Sequence, residues 1–183
     1  MQPRSVIDFI NKGETRTLLA DLKNKKLLGK LDAKEVIDET FNPKQAVAFK
    51  SAWILEHLYL FKFDDFLPHA IYFLDRFAEQ TNPSAQRHFG KILLLMTSKN
   101  APLAIKTILA NYHGEKLIET LFDWLITDKP VAVKAHCLSV LAYFAGKQTW
   151  VKEELFNTID YLIDKESIAF YARATKIRKQ LGS

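Results

Sequence analysis

Along residues 43–61, Phe49, Trp53, Ile54, Leu58 and Phe61 approximate the three-and-four spacing of a helix with one buried stripe, and Leu55 and Tyr59 widen it. A helix apolar over so much of its circumference packs on more than one side. In 167–181, Phe170, Ala174, Ile177 and Leu181 step by four, three and four, while Arg173, Lys176 and Lys179 recur every third residue in an overlapping sector. The same pattern predicts helices over 33–40, 64–80, 83–97, 102–112, 115–126, 130–145 and 150–164, with a short turn at 5–11 and an amphipathic helix at 15–26. No run alternates apolar and polar residues in a Val/Ile/Thr-rich setting, so the expected fold is all-α.

The predicted helices come in pairs. The second helix of each pair carries a basic residue near its start: Lys50, Arg87, Lys134 and Arg173, at steps of 37, 47 and 39 residues. Asn42-Pro43, Asn82-Pro83 and Lys129-Pro130 precede three of those helices. Proline suits a first helical position, where its missing N–H would have no partner, and asparagine before it can cap. The step of 47 is long because 102–112 inserts an extra short helix.

An early proline in a leucine-rich first helix (Phe66-Leu67-Pro68), a corner with proline, and a small-plus-basic start to the second helix together resemble the HEAT repeat, whose period is about 40 residues. The resemblance covers roughly 34–181. It implies a short α-α superhelix, a solenoid of about four antiparallel helix pairs over 34–183 in one continuous domain. Residues 1–33 then form an N-terminal helical cap, since terminal repeats need an altered outer surface. The resemblance also implies binding rather than catalysis, with an unidentified protein or peptide on the concave side that second helices line.

Charge refines this picture. The net +5 divides into +4 over 1–34, +4 over 173–183 and −3 between them, which differs from a continuous basic groove following a phosphate backbone. Contact with nucleic acid through the basic ends is the alternative function. The single cysteine, Cys137, excludes an internal disulfide, and it lies among apolar neighbours as an inert thiol. The N-terminus lacks an apolar core of signal-peptide length, and no apolar run approaches the roughly 20 residues that span a bilayer. A cytoplasmic protein without membrane contact is expected.

The binding candidates are Lys50, Arg87, Lys134, Arg173, Lys176 and Lys179. The first four either form a ladder with acids of neighbouring corners (Asp75, Asp123, Asp128, Glu166) or face an acidic partner. The C-terminal cations also suit the negative end of a helix dipole, and Lys23, Lys25 and Lys26 suit a solvated face. The five histidines lack the His or Cys partners at metal-ligand spacing, and no phosphate loop or nucleophile elbow is present, so neither a cofactor nor a catalytic site is expected. Some DNA glycosylases with HEAT-like repeats use an aspartate in an aromatic cleft; Asp123-Trp124 is the pair to weigh against that, although Trp124 fits the apolar stripe of its helix.

Overall fold

The structure is a computed structural model that describes residues 5–11, 28–127 and 129–182. The helix expected at 15–26, with Lys23, Lys25 and Lys26, and Asp128 lie outside these residues. All regular secondary structure among the described residues is helical: α1 (Val6–Asn11), α2 (Ala33–Glu39), α3 (Gln45–Phe61), α4 (Phe63–Phe66), α5 (Ala70–Arg76), α6 (Pro83–Met96), α7 (Leu103–Asn111), α8 (Glu115–Ile126), α9 (Val131–Ala145), α10 (Thr149–Tyr161) and α11 (Ile168–Gly182).

Local chemistry sets the boundaries. Asn82 is extended and its side chain accepts from the Ser84 and Ala85 amides at 2.9 and 3.0 Å, with Pro83 opening α6 behind it. Asp32 does the same for α2, accepting from the Glu35 amide at 2.8 Å. At Asn42 the side chain instead accepts from the Lys44 amide at 2.9 Å, two residues on. This Asx turn leaves Pro43 outside α3, which starts two residues later than the sequence pattern predicts.

The stretch 64–80, expected as one helix, is interrupted twice. Pro68 offers no N–H to the carbonyl four residues back and its ring crowds that carbonyl. The chain therefore tightens into a 3₁₀ turn at Leu67–His69, resumes as α5, and tightens again at Phe77–Glu79.

The long helices lie side by side in the order α3, α6, α9, α11, each packed on the next. Their shorter companions pack on this row: α2 on α3, α8 on α9, and α10 on α9 and α11. Position in the row explains burial. Helix α9 touches neighbours on several sides and buries Val133, Cys137, Leu138, Leu141 and Phe144 around its circumference.

An aromatic chain crosses the pairs: Tyr59 to Phe66 to Phe73 at 5.1 and 5.8 Å, Phe73 and Phe77 to Phe89 at 4.9 and 5.8 Å, then Phe77 stacked on Trp124 at 4.8 Å. Each such pair is worth about 0.5–1.5 kcal/mol beyond its area.

Polar ties join the same pairs. Asp38 of α2 accepts from the Tyr72 hydroxyl and, at 2.8 Å, from Arg76 Nη1 of α5, while the Arg76 guanidinium lies 3.9 Å from the centre of the Phe41 ring. At the corner, buried Gln80 donates through Nε2 to the Thr40 carbonyl at 3.1 Å, and buried Gln86 donates to the Gln80 carbonyl at 2.7 Å. The inserted helix α7 packs on α5 and buries Ile105 and Leu109. The Tyr112 hydroxyl that follows it donates to Asp75 at 3.0 Å. No helix among the described residues is long and apolar enough to cross a membrane.

Candidate functional site

Two clefts are lined mainly by the long helices of the row. The first, of about 320 Å³, brings together Trp53 and Glu56 from α3, Arg87, His88 and Lys91 from α6, and His136 from α9. Arg87 and Lys91 are four residues apart and share a helix face. The second, of about 270 Å³, lies between α6, α9 and α11 and includes Leu94, Lys99, Tyr143, Arg173 and Lys176.

Gly90 makes the first cleft possible. A Cβ at this position would sit 3.1 Å from the Cβ of His136, closer than packed side chains ordinarily approach. Without one, α9 comes up against α6 and His136 reaches the cleft.

Inside the cleft, His88 Nδ1 donates to Glu56 Oε2 at 2.7 Å, with side chains only 12% and 17% exposed. A carboxylate only accepts, so the proton resides on Nδ1 and Nε2 is the remaining ring nitrogen. Burial by itself raises the Glu56 carboxyl, but the His88 bond and the charges of His88, His57 and Lys91 outweigh it and hold the group below its ordinary value. His136 moves down to about 4, first through burial and then through Lys91, Arg87 and Arg173, against an opposing pull from Glu56. It is therefore neutral at neutral pH and offers one N–H.

The expected basic residues separate. Arg87 and Arg173 are exposed and line the first and second clefts, and Lys176 joins Arg173. Lys50 is half-buried on α3 and Lys179 is exposed on α11, both outside the two clefts. Lys134 is 6% exposed and bonded to Glu166, so it is a structural cation that joins α9 to the turn before α11. Of the acids considered for a ladder, Glu166 has this role, Asp75 accepts from Tyr112, and Asp123 is exposed on α8. Arg178 pairs with Asp160 and donates to the Phe156 carbonyl at 3.1 Å.

Trp124 is 5% exposed and stacks on Phe77, which makes it core rather than the wall of an aspartate cleft. Cys137 is buried, and burial pushes its thiol up to about 12, so it stays protonated and unreactive. Glu56, His88, Lys91, Lys99 and His136 line the clefts but are not among the binding candidates read from the sequence.

No family model, no curated protein and no solved structure matches this chain. The clefts themselves are biased in charge. Five cations line them (Arg87, Lys91, Lys99, Arg173 and Lys176), while the one carboxylate among their described lining residues, Glu56, is already held by His88.

Proposed function

We propose that this chain is a non-catalytic α-solenoid of HEAT-like helix pairs, a protein-interaction module that receives an acidic segment of a partner protein along the side formed by α3, α6, α9 and α11. The observation that carries the proposal is the surplus of cations in the two clefts over the single, engaged carboxylate. Helix pairs at a period near 40 residues, with their long helices side by side, support the solenoid architecture. In such an array the second helices line a concave surface suited to an extended partner.

A second reading has an observation of its own. On α3, Phe49, Trp53, His57 and Phe61 form a ladder of rings at spacings of 6.1, 6.0 and 5.7 Å beside the first cleft. Aromatic rings beside cations also suit the stacked bases of single-stranded nucleic acid.

The two separate in one experiment: affinity capture from the lysate of the source cells, with and without nuclease, using the wild type and an Arg173→Glu/Lys176→Glu variant. The expected result is a defined protein retained after nuclease treatment and lost from the variant, whose melting temperature is unchanged. Capture that vanishes with nuclease favours nucleic acid. Protein capture that survives in the variant overturns the proposed face.

A further inference from the structure

The first cleft is more specific than a basic surface. Its donors come from two neighbouring helices: Lys91 and His88 on α6 and His136 on α9 are all half-buried, with exposed Arg87 beside them. Two formal cations, Arg87 and Lys91, line it directly, and the charge of Arg173 reaches its His136 wall. Glu56, the one opposing charge in its lining, accepts the hydrogen bond of His88 on one of its oxygens. From these observations we propose that the cleft is a phosphoryl-monoester site, in which Arg87, Lys91 and a ring N–H of His136 bind a phosphorylated side chain of the partner segment. This rests on the reading of the chain as a protein-interaction module.

Charge and shape select this ligand. A phosphomonoester carries about −1.5 to −2 charges at pH 7 and three strong acceptor oxygens. The cleft offers two cations, reinforced by the charge of Arg173, against the single Glu56 carboxylate, and a further N–H donor on His136, so an anion with several acceptor oxygens is favoured. A carboxylate has one charge and two oxygens and leaves a donor unused. A phosphodiester is embedded in its chain and cannot present a terminal group to half-buried donors. The volume of about 320 Å³ lies at the small end of ligand pockets, enough for a phosphoryl group and its retained waters. The guanidinium of Arg87 supplies planar, bidentate geometry and Lys91 a mobile point charge, a combination common in phosphate recognition.

The site has a built-in reporter. His136 is neutral because burial and three cations suppress its proton. A dianion beside it offsets those cations, so occupancy raises the His136 titration midpoint from its position near 4. Glu56 acts oppositely: Glu56→Gln removes the one competing charge from the cleft and strengthens anion binding.

The test is an NMR titration of the full chain, following the imidazole resonances of His136 and His88, with phenyl phosphate, inorganic phosphate, benzoate and an oligothymidylate. The expected result is saturable binding of phenyl phosphate that moves the His136 resonance and raises its midpoint. Affinity falls about tenfold or more in Arg87→Gln and in Lys91→Gln and rises in Glu56→Gln, while benzoate binds at least tenfold more weakly. Inorganic phosphate binding as tightly as phenyl phosphate makes this a free-phosphate site and overturns assignment to a partner's side chain. An oligothymidylate that binds more tightly and shifts the same resonances overturns the protein ligand in favour of nucleic acid. If no anion moves His136 in the folded wild type, the phosphoryl site is refuted. The interaction module is judged separately, because its capture experiment alters only Arg173 and Lys176 in the other cleft.

Discussion

At the scale of single residues, Lys134 and His136 show how two positions on one helix acquire opposite roles. They are two residues apart, so at about 100° per residue they point to well-separated sectors of α9. Lys134 is enclosed with Glu166, their side chains 7% and 13% exposed. Removing one partner of such a pair leaves a charge without compensation, which typically costs about 3–5 kcal/mol. Glu166→Gln is therefore expected to lose about that much stability in urea unfolding, while the double change Lys134→Met/Glu166→Gln recovers most of it. His136 faces the cleft and is neutral when folded. Its folded midpoint, about 4, is below the ordinary 6.5, so the unfolded chain takes up a proton first as pH falls. Stability contributed by this residue is complete above pH 6.5 and is lost between 6.5 and 4. Allowing for partial exposure, the loss is about 2 kcal/mol. Thermal melts across that range are expected to show a shallower fall for His136→Gln than for the wild type.

At the scale of elements, the helices were largely written in the sequence because each begins or ends on local chemistry. Asn82-Pro83 announces α6, Gly146 follows the last residue of α9, and the apolar periods of α8 and α11 match the residues they bury. Asn82→Ala is expected to cost about 1 kcal/mol, read as a shift of the urea midpoint with unchanged slope, because two amides lose their acceptor. Where the sequence pattern failed, a competing interaction won. The Asx turn of Asn42 delayed α3, and the missing N–H of Pro68 broke the helix expected over 64–80. The first cleft was only partly foreseeable. Arg87 stood out by its position in its repeat, but Glu56, His88, Lys91 and His136 meet only through the lateral register of three helices. Gly90 was the one available signal, and a lone glycine in a helix does not say which neighbour it admits.

At the scale of the molecule, the aromatic chain from Tyr59 to Trp124 makes the helix pairs interdependent. Phe77 touches Phe73, Phe89 and Trp124, and so joins α5, α6 and α8. Phe77→Ala is expected to cost about 3–5 kcal/mol and to lower the slope of urea unfolding as the transition loses cooperativity. Far-ultraviolet circular dichroism and tryptophan fluorescence should then separate, whereas the wild type is expected to show coincident transitions. The inserted helix α7 is the exception to this interdependence. It packs on α5, contributes no lining residue to either cleft, and leaves Ala104, Lys106 and Ala110 exposed. The lone native thiol, Cys137, is enclosed and protonated. An Ala110→Cys variant therefore carries one addressable sulfur, and a fluorophore or surface tether attached there sits on a helix that lines neither the cleft of Arg87 nor that of Arg173.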